Sequence, residues 1–455
     1  MKPLSLAQIA AMTGGTLLCG APERHVHRVG TDSRSTKPGD LFVALRGEKF
    51  DGHTFLPTVA KLGAIAAVVA RKAPRPATEG LGLIEVEDTQ VALQRLAHAY
   101  RKMMPAKVVG ITGSSGKTST KEFIASVLSR LAPTRKTEGN LNNHLGVPLT
   151  LLSLDPTDAW AVVEMGMNHP GEIAALCDIA LPDHGVITSI GWAHIEFFPD
   201  QEGIFHEKAW LVRSLRGGWA VLNGDDARLR TLAGTLAAET VFPGSTPDSF
   251  VQLKDPRWMG DRMVFSARAG SEAEPMELPV PGLHMVQNAG LAIALGLKAG
   301  LPLPEIREGL AAAQLPKSRV ALRPLGKGWL LDDAYNANPD SMVAAFSTLA
   351  LLEAGPQRFA LLGAMGELGA WSERLHRWTG ERAAEAGITH LFAVGEAAKP
   401  MVEAAAARKV DARWFISKGA LVDAYRTLAT GSDAVLVKGS RSQAMEEVTA
   451  ALTGS

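Results

Sequence analysis

The residues best placed to do chemistry lie in Val108–Thr120, VVGITGSSGKTST. An apolar run ends in a glycine- and serine-rich turn, and Lys117, Thr118 and Ser119 open a predicted helix. Strand, tight turn, Lys-Thr and helix is an order suited to phosphate. Small residues at Gly113, Ser114, Ser115 and Gly116 let backbone N–H groups converge on phosphate oxygens. A helix start adds unpaired N–H groups and the positive end of its dipole. Lys117 would reach the terminal phosphates and the Thr118 hydroxyl would ligate Mg²⁺. The strict pattern G-x-x-x-x-G-K-[ST] is not met, because its first glycine would fall on Ile111; the glycines stand at Gly110, Gly113 and Gly116. The bland alternative is a glycine-rich turn without a ligand. GKT in this context favours ATP.

Other chemistry-bearing residues fall at predicted strand ends. Ala159–Val163 ends at Glu164, and Gly185–Ser189 leads into GWAHIEFF with His194. Open α/β sheets place their sites at such ends, so both residues are candidates for a metal shell, against the structural role a lone Glu or His more often has. Between them and the loop lies TEGNLNNHLGVPLTLL (137–152), polar and irregular, with Asn140, Asn142 and Asn143 beside glycine. In PVPGLHMVQNAGLAIALGLKAG, Asn288 lies one turn after His284, for capping and packing or for cradling a purine. Upstream, Asp32, Ser33 and Arg34, with Arg46, Asp51, Gly52 and His53, could hold a phosphorylated ligand, or could simply cap turns and carry solvated charge. Downstream, LLDDAYNANPDS, LLGAMGELG and LVKGSRSQAMEE each follow an apolar strand and lead into a helix, with Lys438 and Arg441 available for a carboxylate.

The elements that must position these residues need more than one core. A chain of 455 residues suggests about three domains. The first (1–104) combines a helix over 5–12, strands over 40–45 and 65–69, a proline-punctuated surface loop over 71–82 and a helix over 90–103 that reaches Pro105. The second (105–314) carries helices over 117–131 and 203–215, strands at 159–163, 185–189 and 218–222, and a β-rich insertion over 240–280. The third (315–455) alternates strands and helices. Lys+Arg and Asp+Glu both number 47, so nothing global favours nucleic acid or an anionic membrane. Two cysteines form neither a disulfide framework nor a metal quartet and fit reducing cytosol. No 18-residue apolar run marks a transmembrane helix, and no signal-peptide pattern is found. A cytoplasmic chain without membrane insertion is expected.

Taken together, TDSR, TGSSGKTST, GNLNNHLGVP, EMG, GWAH, GLHMVQNAGLAIA and DDAYNANP resemble the Mur ligase family, in family order and over nearly the whole chain. The resemblance implies an α/β fold of three domains: an N-terminal α/β UDP-sugar-binding domain, a central P-loop-type ATPase with a parallel sheet, and a C-terminal Rossmann-like domain for the incoming amine. It implies an ATP-dependent amide ligase of peptidoglycan precursor synthesis. DDAYNANPDSM, LLGAMGELG and LVKGSRSQAMEEV are most similar to the member adding D-Ala-D-Ala to UDP-N-acetylmuramoyl-tripeptide, and the DNPR-type motif of the tripeptide-forming relative is not found.

By the same resemblance, Ser33 and Arg34 would contact the UDP-sugar, with Arg46 and Asp51 nearby, and Lys117 and Thr118 match ATP and Mg²⁺ positions. Glu164 and His194 match magnesium ligands, and Lys208 matches a lysine carbamylated in the family, which would help hold a second Mg²⁺. Asn288 matches the adenine side; Arg319 and Asp333 match residues that close over ATP. Substrate-facing positions are implied at Thr137, Asn140, Asn142 and Asn143, and at Tyr335, Asn336, Asn338, Lys438, Ser440 and Arg441. Ser189 and Phe197 depart from the family pattern without removing a charged ligand. The protein is expected to act as a monomer. The alternatives are another Mur-type ligase, such as a folylpolyglutamate synthase-like enzyme, which would lack TDSR, and a non-catalytic ATP-binding protein, which would lose Lys117, Glu164 or His194. All of these features are present.

Overall fold

In the computed structural model, residues 1–47, 50–73, 78–316 and 319–454 are described. Most of the proline-bearing part of the 71–82 loop (74–77) lies outside them. Three large sheets follow one another along the chain. The first has five strands in the order Thr16–Cys19, Gly82–Val86, Ala66–Ala70, Asp40–Val43, Arg28–Gly30, parallel except for the antiparallel first pair. The helix Thr89–Met103, capped by the Asp88 carboxylate, packs between this sheet and the next unit's helices Gly146–Leu152 and Glu172–Ala180. Its amphipathic spacing buries Leu93, Leu96, Ala97 and Tyr100. The buried Tyr100 hydroxyl ties the units together: it accepts from the Lys2 N–H at 2.6 Å and donates to the Leu154 carbonyl at 2.7 Å.

The second sheet is wholly parallel, in the order Glu239–Val241, Trp219–Leu222, His184–Ile187, Lys107–Thr112, Trp160–Glu164, Thr134–Lys136. Its inner strands are buried on both faces, which is why they read as continuous Val/Ile/Ala runs. Lys107–Thr112 sits between the strands ending at Glu164 and Ile187, with Glu164 abreast of Ile111 and Ile187 abreast of Thr112. Glu164 and the loop that carries His194 therefore leave the same edge, on either side of the phosphate loop. The expected insertion is a four-stranded sheet within 243–278, packed on the helices Leu283–Lys298 and Leu303–Ala311.

The third sheet runs Ala321–Leu325, Gly328–Asp333, Ala434–Lys438, Arg358–Gly363, His390–Val394, Asp411–Phe415; only the first pair is antiparallel. Asp333 and Leu362 are both abreast of Lys438, so all three motif loops of this unit emerge at one edge. Sequence reading missed the short helix Lys399–Ala407 and the strand Asp411–Phe415, an alanine-rich segment followed by a half-exposed edge strand, neither with a strong period. It also ran the Lys117 helix to residue 131, whereas it stops at Leu128.

Candidate active site

The phosphate loop owes its shape to two glycines. Gly113 has φ +150, and a Cβ there would lie 1.9 Å from the Thr188 hydroxyl. Gly116, with φ +85, is the N-cap of the helix Lys117–Leu128, and a Cβ there would lie 2.4 Å from Asn288 Oδ1. Only glycine fits either position. No side chain caps this helix, so its first turn keeps the amides and dipole that suit an anion. Lys117 folds back, donating from Nζ to the Gly113 carbonyl at 2.7 Å. Burial lowers its pKa; Glu164 works against this shift and Arg319 adds to it. Ser114 accepts the Gly191 N–H at 2.8 Å, Ser115 reaches Asn338 at about 3.2 Å, and Ser119 is buried in the first turn. Asn288 is buried beside the loop, against Gly116.

Glu164 is the buried centre of this edge. Its Oε1 accepts from Asn142 Nδ2 at 2.8 Å and from the Thr118 hydroxyl at 3.3 Å. Its Oε2 is buried without a hydrogen-bond partner, 3.9 Å from Lys121 Nζ. An orphaned buried carboxylate oxygen beside a phosphate loop and a threonine hydroxyl fits a hard cation. Mg²⁺ in such sites takes one or two protein carboxylates and leaves the rest to phosphates and water. Among the described residues no group of three His, Cys, Asp or Glu is placed to hold a metal ion.

The asparagine segment divides its work. Asn140 lines a cavity and Asn142 holds Glu164. Thr137 and Asn143 brace the frame: Thr137 Oγ1 accepts the Glu164 N–H at 3.0 Å, and Asn143 Oδ1 accepts from Leu145 and Gly146 at the next helix start.

His194 and Lys208 lie on the other side of the loop. His194 adopts φ 65, and its Nδ1 stands 2.6 Å from a Glu367 oxygen of the third unit, off the ring N–H axis. Burial lowers its pKa, against the pull of Glu367. Lys208 is 1% exposed. Its neighbour Glu207 would be the natural partner, but that carboxylate is spent on the Gly171 and Ile173 N–H groups, both at 2.8 Å. Burial, with Lys117 adding repulsion, lowers the Lys208 pKa well below its ordinary 10.5. A buried amine in this state is nucleophilic.

A cavity of about 510 Å³ spans the junction of the second and third units, lined by Thr118, Gly139 and Asn140 on one side and by Arg319, Tyr335 and Arg441 on the other. The Arg319 guanidinium lies 4.2 Å over the Tyr335 ring and Arg441 5.9 Å from it. Lys438, read from the sequence as a cation free for a carboxylate, is instead 2% exposed and committed: Nζ pairs with Asp333 and donates to the Asn336 carbonyl at 2.8 Å. Asp333 also accepts the Val320 N–H, beside Arg319, at 3.2 Å. The Asn336 side chain accepts the Arg441 N–H at 3.3 Å, and the Ser440 hydroxyl donates to Ala364 at 2.8 Å. These residues shape the wall on which Arg319 and Arg441 stand.

Ser33, Arg34, Arg46 and Asp51 lie in the first unit, Ser33 and Arg34 in the turn Ser33–Ser35 and Arg46 bridged to Asp51. Arg34 is exposed and pairs with Asp32 at 2.7 Å; Arg46 is exposed, 3.5 Å from Asp51, which also holds His53. None of the four is among the residues that line the cavity. Sequence reasoning missed Lys121, Glu207, Asp340 and Glu367. Lys121 had a signal, standing one helical turn after Lys117; Glu367 and Asp340 lie in LLGAMGELG and LLDDAYNANPDS, but their partners are more than a hundred residues away.

The chain matches Mur ligase middle domain over residues 111–296, Mur ligase glutamate ligase domain over 319–441, and Mur ligase family catalytic domain over 25–101. It is 36% identical over 458 residues to the UDP-N-acetylmuramoyl-tripeptide--D-alanyl-D-alanine ligase of Escherichia coli (strain K12), covering 99% of both chains. Among solved structures it resembles MurF from Acinetobacter baumannii (TM-score 0.90, 34% identity, 100% of both chains). It also resembles MurF ligase from Thermotoga maritima in complex with ADP (TM-score 0.83, 27% identity, 94% of this chain and 97% of that one).

Proposed function

The chain belongs to the Mur ligase family, and from that premise we propose that it is the ATP-dependent ligase that joins D-alanyl-D-alanine to UDP-N-acetylmuramoyl-tripeptide. Full-length relatives of that name favour this over a folylpolyglutamate synthase-like reading. The observation that carries the mechanism is that Thr118, at the helix start of the phosphate loop and bonded to Glu164, faces the Arg319–Arg441 wall across one cavity.

A carboxylate is a poor electrophile, so the tripeptide carboxylate oxygen attacks the γ-phosphorus of ATP and ADP departs, leaving an acyl phosphate. The amine of D-Ala-D-Ala attacks that carbonyl, gives up a proton, and the tetrahedral intermediate expels phosphate as the amide forms. Every species is anionic where charge crowds together. Lys117, the amides after Gly113, Arg319 and Arg441 offset that charge. Asn288 takes the adenine side. Thr118 and Glu164 would hold one Mg²⁺, and His194 with a carbamylated Lys208 a second; these ions supply charge neutralisation and orientation of phosphate oxygens. Carbamylation needs a neutral lysine: its nitrogen adds to CO₂, forming an N–C bond and releasing a proton. Buried Lys208, with Glu207 engaged elsewhere, meets that need.

In this reading residues 1–104 bind the UDP-sugar through Ser33, Arg34, Arg46 and Asp51, 105–314 bind ATP, and 315–455 bind the dipeptide. Tyr335, Asn336, Asn338, Lys438, Ser440 and Arg441 face or shape its site, opposite Asn140 and Asn142. The protein works as a monomer in the cytoplasm on small-molecule substrates. The test is phosphate release from ATP with UDP-N-acetylmuramoyl-tripeptide and D-Ala-D-Ala, each omitted in turn. Turnover should require both. Equal turnover with another amine in place of the dipeptide would overturn the assignment.

A further inference from the structure

Three consecutive amides after the His184–Ile187 strand are each held by a different part of the molecule. The Ile190 N–H donates to Asp226 at 2.9 Å, within the central unit. The Gly191 N–H donates to the hydroxyl of Ser114, in the phosphate loop, at 2.8 Å. The Trp192 N–H donates to Asp340 Oδ2, in the C-terminal unit, at 2.6 Å. Asp340 stands in the first turn of the helix Pro339–Leu351, whose N-cap Asn338 contacts the Ser115 hydroxyl at 3.2 Å. One helix start therefore rests on both the phosphate loop and the segment leading to His194. The contact extends along that segment: Trp192 packs on Trp371 with ring centroids 5.4 Å apart, and the Glu196 N–H donates to the Glu367 carbonyl at 3.2 Å.

The fit at Gly191 is tight. A Cβ there would lie 2.1 Å from Asp340 Oδ2 and 2.5 Å from its Cγ, and its three nearest atoms all belong to Asp340. Gly191 is not in the left-handed region, so alanine would strain the contact and not the backbone. A carboxylate brought this close to a backbone amide, with its pKa raised by burial, is costly unless the bond it makes has a use.

We propose that Asp340 is a positioning residue for the ligation: it clasps the Gly191–Trp192 backbone so that the C-terminal domain docks in register on the phosphate loop. Through Gly191 and Ser114 the clasp feels the loop's conformation, and through Trp192 it places the segment bearing His194. It touches neither ATP nor dipeptide. This inference rests on reading residues 113–119 as the ATP site.

The test uses the full-length protein and a size swap. G191A should lower kcat about 10- to 100-fold, the scale of an ångström-sized misplacement. It should leave ADP affinity within about threefold and enlarge the radius of gyration of the ADP-bound protein in X-ray scattering, because the nucleotide's own contacts are untouched. D340A removes the obstructing carboxylate, so G191A should add no further loss in that background and G191A/D340A should match the activity and compactness of D340A alone. A lesion confined to the fold of the central domain would not be relieved from the other domain. G191A resembling wild type, a double variant less active or less compact than D340A alone, or ADP affinity falling in step with kcat would overturn the clasp. Should G191A not fold, D340A carries the test: lower kcat and looser scattering at unchanged ADP affinity are expected, and wild-type values in both overturn it. A wild-type chain that binds no ADP would sink the ATP reading itself; wild-type binding with an unaffected D340A sinks only the clasp.

Discussion

Lys208→Met should make the protein more stable and inactive. Lys208 is fully buried with its charge uncompensated, because Glu207 is committed to two helix amides. Burial holds its pKa well below the ordinary 10.5, and each tenfold lost in proton affinity costs the folded state about 1.4 kcal/mol. Methionine has similar length and no charge to bury. That cost is therefore the ceiling on the gain, and about 1–4 kcal/mol is expected once repacking is included. For a unit of this size each kcal/mol moves Tm by about 2–4 °C. The sign of the pH dependence follows from the lowered value. Between the folded-state value and 10.5 the unfolded chain binds the extra proton, so wild-type stability rises with pH through that window. The variant lacks this slope, and its advantage shrinks by about 1.4 kcal/mol per pH unit. The assay is thermal and urea unfolding in CO₂-depleted buffer without nucleotide, at pH 7 and pH 8, beside ligase activity. A variant less stable than wild type at pH 7, or one that keeps its activity, would refute the reasoning. Lys208→Ala should be restored by short-chain carboxylates and not by bicarbonate, which would mark the missing group as an anion.

Other outcomes follow from single contacts. Lys117→Ala should abolish acyl phosphate formation while UDP-substrate affinity, read by calorimetry, stays within about twofold, because none of Ser33, Arg34, Arg46 and Asp51 lines the cavity beside the loop. Tyr100→Phe should cost about 1–3 kcal/mol in urea unfolding with kcat unchanged, since it leaves the Lys2 N–H and the buried Leu154 carbonyl without their partner. In the folded protein Cys19, exposed, should react with a thiol reagent, while Cys177, whose thiol burial pushes up to about 12, should react only after denaturation.

The chemistry in this chain was legible where it is local. Glycine spacing, Lys117 and Thr118 form their loop within one turn of backbone, and the buried strands Lys107–Thr112 and Trp160–Glu164 announce themselves as apolar runs. The placement of Glu164 and His194 followed from a rule about strand ends, which the parallel register satisfies. What a group does once placed was not local. Lys438 reads as a free cation in LVKGSRS, yet the register that sets Asp333 beside it turns it into a brace. Lys208 is one lysine on a helix until Glu207 is seen to be engaged by another helix. Asp340 and Glu367 act across a domain junction no periodicity encodes. Residue type and spacing determined which chemistry the GSSGKTS loop could perform. Tertiary structure decided which charges remain free to perform it, because pairing and burial depend on partners that only the folded chain brings together.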